Sequence, residues 1–282
     1  MLPGAGWSVP LALGVLIWLL HGASWRRAAL LGATFGAMFF AVLLWWLVES
    51  IALGAWAGLA LAQTVWIVVF ALGARLVLGL PGGPLWVAGL WASIEIIRGQ
   101  WPLGGLPWGR LGYATVDTSW VGLLPYVGVT GTGFVLVMLA ALGADLARRP
   151  SRITAGLCGA AVVVSLAPLA VPFVVEQEGA WTVAVVQGGV PGAGNDVGSN
   201  HREVTRNHMA ATVELAARVG RDEEVRPDLV IWPENSTAVD PVTDGVARVA
   251  IEQAVGAIGV PVLVGALTDG VAADQVLNEG IV

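Results

Sequence analysis

In the tetrapeptide Trp232-Pro233-Glu234-Asn235, one carboxylate follows directly on the apolar run Leu229-Val230-Ile231. An acid at the end of a buried strand, on a polar turn, is placed to take a proton and give it back. The usual partners of such chemistry are scarce. The chain contains no lysine, and its one cysteine, Cys158, lies in another part of the sequence. Read from the residues alone, Glu234 is either a general base or a strand-end acid that caps a turn and faces solvent.

Cys158 lies six residues after Arg152 in an apolar run. In a helix rising 1.5 Å per residue that depth is about 9 Å into a hydrocarbon core of roughly 30 Å. Its expected role is a small packing residue buried in apolar surroundings. His21, His201 and His208 are scattered without metal-ligand spacing and read as ordinary surface or interface residues. No metal or cofactor is expected.

The elements that carry these residues divide by composition. Of 282 residues, 56% are hydrophobic and only 12% charged, against about 25% charged in soluble domains. Residues 1–175 hold eight Arg, four acids and twelve of the fourteen Trp; residues 176–282 hold six Arg and sixteen acids. This predicts a membrane domain over 1–175 and a polar domain over 176–282, with the boundary near Val175–Gly179. The acidic second part argues against nucleic-acid binding, which wants clustered positive charge.

Six spans are predicted, over Val9–Leu20, Ala28–Val48, Ile51–Leu72 or as far as Leu80, Leu85–Ile97, Trp120–Leu146 and Ile153–Val175. Alternate loops carry Arg26 and Arg27, then Arg75, then Arg148, Arg149 and Arg152. By the positive-inside rule those loops are cytoplasmic. The 99–119 loop and the 176–282 domain then share the outer side, although Arg98 and Arg110 run against the trend. That loop sets Trp101, Trp108 and Tyr113 amid Gly and Pro. It is either an aromatic belt anchor or a lipid-contacting loop folded back over the membrane. Glu95 and Arg98, spaced i, i+3, could pair, as an interfacial ion pair or as a functional group.

The second part alternates strand and helix patterns: strands over Trp181–Gln187, Asp228–Trp232, Val260–Leu267 and from Gln275, with helices up to Val219 and over Thr243–Ile258. Ser199 or Asn200 is the expected cap of the first helix, after a Gly-rich loop over Gly188–Asn200. An α/β layered fold with parallel-type strands follows, with few helices to cover both sheet faces.

Several segments match one family in order: Glu95-Ile96-Ile97-Arg98-Gly99, Gly105-Leu106-Pro107-Trp108, the strand ending in Gln187, Trp232-Pro233-Glu234, and Asn278. Almost the whole chain resembles the apolipoprotein N-acyltransferases, integral membrane enzymes with an extracytoplasmic nitrilase-like (α-β-β-α) domain. The resemblance implies a multi-span α-helical membrane domain followed by the N-terminal part of that domain, in a bacterial cell membrane. It implies transfer of a fatty acyl chain from a phospholipid to the N-terminal amine of a diacylglyceryl-cysteine lipoprotein, through a thioester. Glu234 matches the glutamate of the family's Glu-Lys-Cys triad; Pro107 and Trp108 match its lipid-contacting loop, and Asn278 its active-site surroundings. The family's lysine and cysteine fall beyond Val282, and its eight spans exceed the six here by one at each end. The chain therefore resembles a piece truncated at both ends and is expected to be inactive alone. A separate glycosyltransferase partner is left open. The alternatives are a membrane-tethered amidase or nitrilase-type hydrolase, which would use water as acceptor, and a catalytically inactive membrane module.

Overall fold

A computed structural model describes residues 5–171, 173–174, 179–191, 201–272 and 275–282. The chain divides into two compact units, Met1–Val175 and Glu176–Val282.

The described residues of the first unit form helices and their connecting turns and loops: α1 (Val9–Leu20), α2 (Trp25–Leu43), a short α3 (Trp46–Ser50), α4 (Leu53–Val77), α5 (Gly83–Arg98), α6 (Leu124–Arg148) and α7 (Arg152–Leu166). Serines start two of them. Ser24 accepts from the Arg27 amide and Ser151 from the Thr154 amide, filling donors that a helix start leaves open. Helix α2 lies along α4, and α1 and α5 lie along α6. Glycines of α2 let its backbone approach α4 closely. A Cβ on Gly32 would sit 2.8 Å from Ala71 Cβ and 2.9 Å from Ile67 O, and Gly36 repeats the contact one turn on, the small-xxx-small device of membrane helices.

Among the described residues, four helical stretches are long and apolar enough to cross a membrane: Trp25–Leu43, Leu53–Val77, Ser119–Arg148 and Arg152–Leu169. This is two fewer than the six expected. The first apolar helix, Gly6–Leu20, is shorter than a span, and α5 has 16 residues. The expected Ala28–Val48 span breaks at Leu44-Trp45, where Leu44 leaves helical geometry (φ −99°, ψ 9°) before α3 begins. The Trp120–Leu146 span begins as a 3-10 turn over Ser119–Leu123, and Gly128 (φ 65°) interrupts helical geometry inside α6. The last span stops at Leu166, before a 3-10 turn containing Pro168, whose ring cannot continue a helix interior.

Among the described residues, the second unit is a four-stranded sheet with two helices. Strands β1 (Val183–Val185), β2 (Leu229–Ile231), β3 (Val262–Asp269) and β4 (Val276–Ile281) lie in that order across the sheet. The pairs β1–β2 and β2–β3 are parallel, and β3–β4 is antiparallel. The sheet is mixed rather than parallel throughout because only residues 270–275 separate β3 from β4, far fewer than a parallel crossover needs. Helices α8 (His201–Gly220) and α9 (Gly245–Ile258) pack together. Asp244 caps α9 by accepting from the Val246 and Ala247 amides, and Gly259 at φ 65° ends it. One sheet face, carrying Val230, Val262, Val264 and Ala266, is buried with Ala254 and Ile258 of α9 and with Met209 and Leu215 of α8. Residues of the other face, Leu229, Ile231 and Leu263, are half-buried. The expected α8 caps, Ser199 and Asn200, most of the Gly188–Asn200 loop and the Val175–Glu178 part of the boundary lie outside the described residues.

Candidate functional site

In the second unit, Glu234 stands where β2 leaves the sheet. Trp232, just before it, is 1% exposed. Its indole Nε1–H donates to Thr212 Oγ1 at 2.9 Å, and its ring lies 5.5 Å from that of His208. The polypeptide then turns outward through Pro233. Asn235 takes the left-handed region at φ 60°, which asparagine tolerates better than most residues. Glu234 is exposed at the tip of this turn. Ser236 returns the chain to the sheet, its amide and hydroxyl both donating to Gly265 O at 3.0 Å.

Gly265 sets how closely the turn lies on the sheet. A Cβ there would be 2.4 Å from Pro233 O and 2.8 Å from Glu234 Cα. Gly280 stands opposite Gly265 in the β3–β4 ladder, and Asn278 stands opposite Leu267, two residues along on the same face. From there the Asn278 Nδ2–H donates to Glu234 Oε1. Two of the residues named from sequence, Glu234 and Asn278, are thus brought into contact although they are 44 positions apart.

Beneath the turn lies a buried shell that the sequence reading missed. Helix α8 supplies Thr205, whose hydroxyl donates to Ser236 O at 3.1 Å, and Thr212, which holds Trp232. His208, expected at a surface or interface, is 2% exposed. Its Nδ1–H donates to Val204 O at 2.8 Å, and Nε2 lies 3.4 Å from Gln187 Oε1, just past the end of β1. Burial holds the imidazole below its ordinary pKa, partly offset by the bond to Val204 O. The signal was present: residues 204, 208 and 212 recur every fourth position on the apolar stripe of α8. His21, on the first unit, is also partly buried and meets Asp145 at 3.0 Å.

In the first unit, Pro107 and Trp108 lie in the loop after α5, both exposed. Trp108 keeps 50% of its surface accessible, and its ring centroid is 5.0 Å from that of Trp46. Glu95 and Arg98 are buried but do not form the pair their spacing allowed; none of the ion pairs among the described residues joins them. Arg98 turns instead to backbone carbonyls of the loop. Cys158 is half-buried on α7 rather than enclosed.

Residues 3–142 match the family model for the apolipoprotein N-acyltransferase N-terminal domain. Proteins named apolipoprotein N-acyltransferase resemble the chain well beyond that domain. The one from Mycolicibacterium smegmatis is 32% identical over 99% of this chain and 52% of its own length. The one from Methylococcus capsulatus is 30% identical over 91% of this chain and 52% of its own length. That from Verminephrobacter eiseniae is 36% identical over 48% of this chain. The chain spans about half the length of the first of these relatives. The similarity to the first runs through the helical unit and on through the sheet that carries Glu234 and Asn278, and on that ground the chain belongs to the apolipoprotein N-acyltransferase family.

Proposed function

We propose that this chain belongs to an enzyme that moves a fatty acyl group from a membrane phospholipid to the free N-terminal amine of a diacylglyceryl-cysteine lipoprotein, with Glu234 as general base. The observation that supports it most directly is the exposed Glu234 carboxylate, held through Oε1 by Asn278 at the end of a central strand. The matching names of the relatives point to the same acceptor class.

The chemistry runs in two halves. Glu234 removes the proton of a thiol, and the thiolate attacks the ester carbonyl of the phospholipid. A cation steadies the oxyanion as the tetrahedral intermediate forms. The carboxylic acid then returns its proton to the departing lysophospholipid alkoxide, leaving a thioester. In the second half the amine attacks the thioester, Glu234 takes the ammonium proton, and the thiol leaves re-protonated. Cys158 is not the thiol in this reading, because it sits on a candidate spanning helix. The reading places thiol and cation in the half of the relatives' length that this chain does not span. It also takes the arginine-rich loops as cytoplasmic. The second unit and the Trp108 loop then face the outer leaflet, where both lipid-anchored substrates lie.

The test uses the protein translated from the complete reading frame, assayed for acyl transfer from phospholipid to a diacylated lipopeptide. Glu234→Gln is expected to lower the rate by about 10²- to 10⁴-fold, the usual worth of a general base, with expression unchanged. Parental transfer by that variant removes the assignment. Release of free fatty acid without lipopeptide acylation replaces it with a hydrolase.

A further inference from the structure

The end of α5 carries two charges that the proposed acyl transfer does not use. Glu95 and Arg98 are 2% and 3% exposed. Burying a charge is costly unless strong hydrogen bonds replace its water. Both side chains find those bonds largely in the loop that follows. Arg98 Nη1 donates to Leu106 O at 2.7 Å and to Trp108 O at 2.8 Å, with Gln63 Oε1 at 3.3 Å. The guanidinium carbon lies 5.4 Å from the Phe40 ring centroid. Glu95 Oε1 accepts from the Leu111 amide at 2.9 Å and from Trp91 Nε1 at 2.8 Å. The Leu106 amide donates back to Arg98 O at 2.8 Å. The segment from Leu106 to Leu111 is therefore gripped at its entry, its middle and its exit. What it holds outward is Pro107 and Trp108.

These contacts are an expensive way to stabilise a helix. An apolar pair of similar volume at 95 and 98 would serve α5 at least as well. Their directions make sense if the geometry of the irregular segment matters. Carbonyls 106 and 108 have no partner in regular structure, and one planar cation holds both at once.

We propose that Glu95 and Arg98 are positioning residues, fixing the Leu106–Leu111 turn so that Pro107 and Trp108 present one rigid apolar face to the acyl chain of the lipid substrate. This rests on the reading of the loop as a lipid contact in an acyltransferase. Rigidity lowers the ordering cost of lipid capture. Loss of the grip then raises KM for the phospholipid more than it lowers kcat.

The experiment follows hydrogen exchange of the 99–119 segment and the kinetics of acyl transfer, both in the protein translated from the complete reading frame. Arg98→Ala and Glu95→Leu are expected to raise exchange at the Leu106 and Leu111 amides, while apparent KM for the phospholipid rises about tenfold and kcat falls by less than about threefold. Glu95→Gln keeps an acceptor oxygen for the Leu111 amide and is expected to restore slow exchange and near-parental KM. Gly105→Ala reaches the loop without touching either charge. Gly105 has φ 80°, and a Cβ there would be 2.3 Å from Gly99 C. It is expected to reproduce the rise in KM even if Arg98→Ala fails to fold. Unchanged exchange in Arg98→Ala and Gly105→Ala overturns the grip. Fast exchange with parental KM overturns its link to the lipid. Glu234→Gln run beside them separates the two ideas. If it abolishes transfer while the loop variants keep parental kinetics, the acyltransferase reading stands and the positioning role falls. If it transfers normally, the general-base assignment fails, whatever the loop does.

Discussion

Two glutamates, one in each unit, show opposite uses of the same side chain. Glu95 is sealed in helix packing, with one oxygen accepting from two N–H groups and the other, Oε2, buried beside Gly133 without a hydrogen bond among the described residues. Glu234 sits exposed on a turn, its Oε1 accepting one hydrogen bond among the described residues, from the Asn278 side-chain amide. A carboxylate shut off from solvent, with one oxygen committed to a loop amide and an indole, can fix a backbone, but it cannot readily trade protons with a substrate. A carboxylate steadied by one neutral amide keeps its orientation and remains within reach. The lesson is that burial and partner direction, rather than residue type, separate an architectural acid from one free to take the proposed chemical role.

That contrast can be broken most sharply at Glu234 itself. Glu234→Gln should remove at least about 3 kcal/mol of transition-state stabilisation while moving unfolding free energy by no more than about 0.5 kcal/mol, as surface substitutions do. A large drop in thermal midpoint together with intact transfer would reverse the two roles. Glu95→Leu should behave in the opposite sense. It strands the Leu111 amide and the Trp91 indole, so unfolding in detergent micelles should be easier by about 2–4 kcal/mol. Gly265→Ala sharpens the comparison from the scaffold side. Its Cβ meets backbone rather than a flexible side chain, so the Pro233-Glu234 turn must shift. A cost of about 1–3 kcal/mol is expected, with a loss of transfer larger than the stability change accounts for. Asn278→Ala should have a smaller effect, about tenfold in rate, with little change in the melting midpoint. If it matched Glu234→Gln in full, the asparagine would be doing more than steadying the acid.

The smallest effect expected is in pH dependence. His208 has a folded pKa below the ordinary 6.5. As pH falls through 6.5, the unfolded chain gains a proton that the buried ring refuses. Stability is therefore full above that pH and declines as pH falls toward the lowered folded pKa. His208→Gln should flatten this part of a stability–pH curve, measured by denaturant unfolding between pH 7 and pH 5. An unaltered slope would mean the imidazole is not the group being titrated.

Much of the second unit was legible because its strands are short apolar runs between turn signals. The expected Asp228–Trp232, Val260–Leu267 and Gln275–Val282 segments all overlap observed strands. The antiparallel β4 was also legible in principle, since the link before it is too short for a crossover. The long apolar helices were visible as runs of hydropathy, but their ends were not. Gly128, Leu44-Trp45 and Pro168 break the pattern locally, within windows that average them away. Glu95 and Arg98 illustrate the deeper limit. Helical spacing places them on one side of α5, but the competing attraction of two loop carbonyls decides where Arg98 points, and those carbonyls acquire positions only after the loop has folded. Likewise Gly265 carries no side-chain signal; its importance is a distance to Pro233 that exists only in three dimensions.

The bond between Asn278 and Glu234 has a consequence for the order of events during synthesis. Because the amide lies 44 residues further along the chain, the acid emerges from the ribosome before its companion. Until β4 docks antiparallel on β3, Ser236 and Gly265 can already tie the turn to the sheet, but the carboxylate lacks this amide. The orientation of the Glu234 carboxylate is thus settled only after the strand that carries Asn278 has joined the sheet.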